Sequence, residues 1–154
     1  MLNIENHILR EIGTIARSIQ SISDIKYKNI NLQKGQFIFL CRVCENPGIN
    51  QIDLSNLLKV DKTTTTKVIQ KLILAGYIEK KEDVADKRMW RLFPLQKALD
   101  AYTYIIEEET KSNQAYYNNL NDEEKELIYS LLKSLSKNIE YDWINIRKNK
   151  SDMK

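Results

Sequence analysis

Apolar residues near the N-terminus fall at Ile8, Ile12, Ile15, Ile19 and Ile22, steps of four and three that put them on one stripe of a helix. Asn3 is placed to cap that helix, with Glu5 favourable in its first turn. The pattern breaks over Tyr27 to Asn31. It resumes as Phe37, Leu40, Cys41 and Cys44, a second helix that Asn31 is placed to cap and Asn46-Pro47-Gly48 ends. Asn50 and Asp53 open a short third helix with Ile52, Leu54, Leu57 and Leu58 as its inner face. After the turn Lys59-Val60-Asp61, Asp61 caps a fourth helix buried through Val68, Ile69 and Leu72 and stopped at Ala75-Gly76. The period then changes. Tyr77-Ile78-Glu79-Lys80 and Trp90-Arg91-Leu92-Phe93 read as paired strands around a polar loop.

Beyond Pro94 helical spacing returns, with Leu95, Leu99, Tyr102 and Ile106 on one stripe. Asn121 and Glu124 form a capping pair for a last helix, whose stripe is Ile128, Leu132, Leu135, Ile139, Trp143 and Ile146. A single helix cannot bury so long a stripe. Two terminal stripes flanking a small central lobe point to an intertwined homodimer, with Ile8, Ile12, Ile15, Ile19, Leu132, Leu135, Ile139 and Trp143 in the seam. Packing of both helices on the chain's own core is the alternative. The expected fold is mainly α with a small β-hairpin. Residues 32–94 form a helix-turn-helix lobe with a wing, and 1–31 with 95–154 form a helical dimerisation region.

Composition narrows this further. The 154 residues include only four Gly and two Pro, too few turn formers for an all-β fold. No apolar run is long enough to span a membrane, and Met1-Leu2-Asn3-Ile4-Glu5 lacks the basic-then-apolar layout of a secretory leader. With two cysteines and no leader, a reducing cytoplasm is the expected compartment. The net charge of +3 is small, but its distribution is uneven. Between Lys59 and Arg91 lie nine cations and five acids, whereas Glu107-Glu108-Glu109 and Asp122-Glu123-Glu124 make the following segment acidic. A basic middle beside an acidic flank orients a protein on a polyanion.

The chemistry concentrates where that basic segment meets the helix-turn-helix pattern. Thr63-Thr64-Thr65-Thr66-Lys67 occupy the first turns of the fourth helix, and Asp86-Lys87-Arg88 the tip of the hairpin. Small hydroxyls beside cations suit a helix laid against nucleic acid, and a basic hairpin tip suits a groove or a phosphate. Cys41-Arg42-Val43-Cys44 is a CxxC without a second pair, and His7 is the only histidine, so a four-ligand zinc site lacks material. The cysteines lie late in a helix, where the dipole disfavours a thiolate, and share the stripe of Phe37 and Leu40. Core packing is the expected role and oxidant sensing the alternative. The chain has no G-x-S-x-G elbow, P-loop, dinucleotide loop or metal-ligand cluster, which argues against an enzyme and against a cofactor. An interaction module without DNA binding is a further alternative, disfavoured by the basic helix and wing.

These residues, in this order, resemble the MarR family of bacterial transcriptional regulators (multiple antibiotic resistance regulators) over nearly the whole chain, most specifically from Leu32 to Leu92. Leu32 and Gln36 match the family's opening of the second helix. Leu54, Leu57, Val60, Asp61, Lys62, Thr63 and Thr64 match its helix-turn-helix. Leu72, Gly76, Tyr77 and Ile78 match its close, and Asp86-Lys87-Arg88 its Asp-x-Arg wing. One departure is clear: where the family has Leu-Thr and then Gly after the wing, this chain has Pro94, Leu95 and Ala98. Pro94 is expected to set the entry into the fifth helix instead.

The resemblance implies a homodimeric regulator, most often a repressor, bound to a pseudo-palindromic duplex and released by a small aromatic effector whose pocket the sequence does not locate. Lys62, Thr63, Thr64, Thr66, Lys67, Gln70 and Lys71 are the expected recognition-helix contacts, with Thr65 turned inward. In the wing, Arg88 is expected in the minor groove or on a phosphate, oriented by Asp86, with Lys87 and Arg91 as further phosphate contacts.

Overall fold

The computed structural model describes residues 1–153. Its first helix, α1, spans Ile4–Lys26 and starts where the pattern places it. The Asn3 side chain accepts the Asn6 N–H, and the Asn6 side chain returns the bond to the Asn3 N–H. A 3₁₀ turn over Tyr27–Ile30 follows. Asn31 then adopts a left-handed backbone (φ 58°) and closes that turn instead of capping the next helix. The second helix, α2, spans Gln36–Glu45, so it begins five residues after Asn31. Gly35 (φ 76°) makes the corner, and Gln36 folds back so that its Oε1 accepts the Gln33 N–H at 2.7 Å. Asp24 holds the corner from α1 by accepting the Gly35 N–H at 2.8 Å.

Helix α3 spans Gln51–Leu58 and α4 spans Lys62–Leu74, capped by Asn50 and Asp61 respectively. Four consecutive threonines are poor helix formers. Here two of them return bonds to the preceding turn, Thr65 Oγ1 to Asp61 O and Thr66 Oγ1 to Lys62 O, both at 2.9 Å. Burial of Thr65, Ile69 and Leu72 supplies the rest of what holds the helix. The α4 C-terminus closes with a reciprocal pair of bonds, Tyr77 N–H to Leu72 O and Gly76 N–H to Ile73 O. That closure requires the left-handed backbone of Gly76 (φ 78°).

Strands β1 (Ile78–Glu82) and β2 (Trp90–Pro94) pair antiparallel, with Ile78 opposite Pro94 and Glu82 opposite Trp90. Ile49 adds a single bridge to Leu92. The hairpin is longer than the sequence implies at β1, and Tyr77 lies just before it. Pro94 ends β2 and does not enter the first turn of α5 (Gln96–Tyr116), which corrects the expected helix entry. The covered face of α5 is also shifted: Ala98, Ala101 and Ile105 are buried, while Leu99 and Ile106 are exposed. Likewise on α3, Leu54 and Ser55 are buried and Ile52 and Leu57 face outward.

The chain divides into two compact units, Met1–Ile106 and Glu107–Lys154. The first holds the hydrophobic core, in which Leu40, Val43, Leu54, Ile69, Leu72, Leu92, Ala98 and Ile105 are fully enclosed. Each of the larger of these contributes roughly 1.5–3 kcal/mol by leaving water. In the second, the end of α5 turns through Asn119 (φ 67°) into α6, Asp122–Asp152. Asn121 and Glu124 exchange side-chain-to-backbone bonds of 2.8 and 2.9 Å there, the capping pair expected from the sequence. Among the described residues, both long terminal helices leave most of their apolar stripe exposed. Ile8, Ile15, Ile19 and Ile22 on α1 are exposed, as are Ile128, Leu132, Ile139 and Ile146 on α6, while Ile12, Leu135 and Trp143 are half-buried. Among the described residues no helix is long and apolar enough to cross a membrane.

Candidate nucleic-acid interface

Asp61 organises the start of α4. Its Oδ1 accepts the Thr64 N–H at 2.7 Å and its Oδ2 accepts the Thr64 hydroxyl at 2.9 Å. Behind this cap the helix presents two faces. Thr65, Ile69 and Leu72 point into the core, and Lys62, Thr63, Thr64, Thr66, Lys67, Gln70 and Lys71 are all exposed. The inward turn of Thr65 agrees with the sequence reading. The exposed set mixes cations, hydroxyls and one carboxamide, the groups that reach phosphates and base edges from a groove.

The hydroxyls are less available as donors than the sequence alone implies. Thr64 gives its proton to Asp61 and Thr66 gives its own to Lys62 O. Thr66 Oγ1 also accepts from Gln51 Nε2 at 3.2 Å, which ties the start of α3 to α4. These two threonines therefore offer a methyl group and remaining lone pairs, the features that meet a thymine methyl or a base amino group.

The wing loop between β1 and β2 is built on two aspartates. Asp83 Oδ2 accepts the Asp86 N–H at 3.0 Å, and Asp83 Oδ1 accepts Arg91 Nε at 3.1 Å. The backbone closes beneath them, Asp83 N–H to Met89 O and Met89 N–H to Asp86 O, both 2.9 Å. The Asp86 N–H first, and the Arg91 guanidinium after it, hold the Asp83 carboxyl below the ordinary aspartate range. Its contribution is complete above that range and is lost only as pH falls through the lowered value, so the loop stays latched at neutral pH. Sequence reasoning missed Asp83. Its spacing of three before Asp86 is the signal that could have shown it.

Asp86 in turn accepts both the Arg88 N–H (3.0 Å) and Arg88 Nε (3.2 Å) through Oδ1. The Arg88 side chain is 92% exposed, so this pair orients a cation that remains open to solvent. Lys87 is exposed beside it. Arg91 lies elsewhere: it is half-buried at the base of the wing, bonded to Asp83 and, through a terminal guanidinium nitrogen, to Gly48 O at 3.2 Å. Ile52, Met89 and Trp90 line a shallow cleft with Lys80 and Arg88, adding apolar surface next to the charged tip.

The two cysteines take no part in this surface. Cys41 is buried in the core, and Cys44 Sγ lies 3.7 Å from Ala98 O as its donor. Burial, with the Glu45 carboxylate next, pushes the Cys44 thiol up to about 11. At pH 7 the neutral thiol therefore predominates at that position. Alkylation of Cys44 by iodoacetamide at neutral pH, followed by mass spectrometry, is expected to be far slower in the native protein than in denaturant. Equal rates would show an open, reactive thiol. Among the described residues no group of three or more His, Cys, Asp and Glu is placed to hold a metal ion.

The sequence profile of the MarR family matches residues 32–89, which span helix α2 through the wing loop. The HTH-type transcriptional regulator YybA of Bacillus subtilis (strain 168) is 43% identical over 148 residues, 96% of this chain and 99% of the relative. A MarR protein of known structure from Peptoclostridium difficile DA00132 superposes with a TM-score of 0.85 at 55% identity, covering 95% of this chain and 97% of its own. A MarR family transcriptional regulator from Listeria monocytogenes, solved in complex with 26mer DNA, gives a TM-score of 0.89 at 40% identity, with 96% of each chain covered. Profile, relatives and the winged lobe agree, and this chain belongs to the MarR family of transcriptional regulators.

Proposed function

We propose that this regulator is a cytoplasmic homodimer that reads a pseudo-palindromic duplex and represses transcription until a small aromatic effector releases it. The observation that carries the reading is the pairing, on one lobe, of the exposed polar face of α4 with an Arg88 that Asp86 aims while solvent leaves it free to bind. The complex of the Listeria relative with 26mer DNA supports the choice of partner. In this reading α4 enters the major groove, and Arg88 takes the minor groove or its phosphates. Lys62, Lys67, Lys71 and Lys87 neutralise the backbone. Thr63, Thr64, Thr66 and Gln70 touch base edges. Arg91 supports the wing from its base. The lobe is 32–94, and 1–31 with 95–154 form the dimer region. The stripes of α1 and α6 support that assignment, because most of their apolar side chains stay exposed among the described residues.

Two-fold symmetry then spaces the half-sites about one helical turn apart. A duplex recovered by selection from random-sequence DNA tests the reading, through gel-shift titration at several salt concentrations. Binding by a dimer with a steep salt dependence is expected, and the absence of any duplex preference would overturn it. Within that assay, Thr64→Ala and Gln70→Ala are expected to change sequence preference and leave the salt slope near the parent's. Lys67→Ala should lower the slope by about one and weaken all sequences alike. Release requires an effector that binds the DNA-competent state less well than another state, and a coupling of about 1–3 kcal/mol suffices. Titration of phenolic acids against the operator complex measures it.

A further inference from the structure

Resting on the DNA-binding reading above, we infer that Tyr77 and Lys97 are positioning residues that fix the recognition helix to the turn following α1 and to α5 at one angle, and so restrict the half-site spacing the protein accepts. Tyr77 is 3% exposed and stands where three elements meet. Its N–H completes the closure of α4 through Leu72 O, and its carbonyl accepts the Leu95 N–H at 2.9 Å, just before α5. Its hydroxyl crosses to the 3₁₀ turn that follows α1 and donates to Ile30 O at 2.6 Å. Carbonyls at the end of such a turn lack partners within it, so this bond replaces water at a buried junction.

Lys97 completes the junction from α5. Its Nζ donates to Ala75 O at 2.7 Å, at the negative end of the α4 dipole, and lies 4.3 Å from the centre of the Tyr77 ring. The 3₁₀ turn is held to α5 as well, because Asn29 Nδ2 donates to Tyr104 Oη at 3.0 Å and the Tyr27 ring meets Tyr104 edge-on. The C-terminal end of the recognition helix is thereby joined to the turn leading from α1 by one side-chain hydroxyl and to α5 by one ammonium. A dimer seam that includes α1 would convert small changes at this junction into larger displacements of α4 in the groove.

The test uses the full chain and the selected palindromic duplex, together with versions carrying one or two extra base pairs at its centre. Tyr77→Phe removes the hydroxyl alone, and Lys97→Met removes the ammonium while keeping an apolar stem. Both are expected to keep the parent's helix content by circular dichroism and its sedimentation. The parent should bind the inserted duplexes far more weakly than the selected one. In each variant that discrimination should shrink by about three- to tenfold, the worth of one hydrogen bond, chiefly through weaker binding to the selected spacing. A role confined to stability would lower the melting temperature without altering the ratio between spacings. Variants with the parent's ratio overturn the inference and leave the DNA-binding reading standing. A parent that prefers no duplex overturns both.

Discussion

Replacing Ile19 or Leu135 by aspartate is expected to split the proposed homodimer and remove operator binding in the range where the parent is saturated. Ile19 is 44% exposed and Leu135 half-buried in the single chain, and neither belongs to the core that runs from Tyr27 to Ile105. Their apolar surface is therefore open to a second copy in the proposed seam. In a two-fold seam each substitution appears twice. An unpaired charge placed in such a seam costs about 3–5 kcal/mol, which raises the dissociation constant by two orders of magnitude or more. Sedimentation velocity across a concentration series reads this directly, with Ile19→Val as the control expected to remain dimeric. The winged lobe should still melt cooperatively, because its enclosed residues are untouched. Either aspartate variant sedimenting as a dimer with the parent's affinity would remove the terminal helices from the seam.

Arg88→Ala should weaken binding to the selected duplex by about 1–3 kcal/mol, with no measurable loss of fold. The side chain is almost wholly in solvent, and it pairs with Asp86 at 3.2 Å on an exposed loop, a contact that adds little stability. Asp86→Ala should weaken binding less. The cation survives that change, and what is lost is the bond that aims it, together with the turn-forming acceptor for the Arg88 N–H. Arg88→Lys separates the two contributions: it restores the charge without the planar head, so partial recovery is expected if the contact is in a groove and nearly full recovery if it is a lone phosphate. A binding isotherm for Arg88→Ala identical to the parent's would take the wing out of the interface.

Much of the fold was legible in the chain because its signals are local. A cap and the N–H it satisfies lie three residues apart at Asn3, Asn50, Asp61 and Asn121, and all four start helices as read. Gly76 stops α4 because the closing turn needs a left-handed residue at that one position. The inward face of α4 and the Asp-Lys-Arg tip likewise follow from spacing along a single element. Family resemblance added the roles that spacing cannot state.

What the chain did not disclose depends on partners distant in sequence. Asn31 has the chemistry of a helix cap, yet the buried Leu32 and the Asp24 bond to Gly35 delay α2 and leave Asn31 to close a 3₁₀ turn. The α5 face is set by which side meets the lobe, and there the small Ala98 and Ala101 permit close approach where a hydropathy stripe favours Leu99 and Ile106. Arg91 resembles the other wing cations until its bonds to Asp83 and to Gly48, 43 residues earlier, occupy it. Tyr77 reads as the first residue of a strand, but its hydroxyl bonds to Ile30, 47 residues away. Local hydrogen bonding and periodicity determine which residues become helix, turn or hairpin. Which face is covered, and which polar groups remain free to meet DNA, is decided only when separate elements pack, because burial is a property of neighbours.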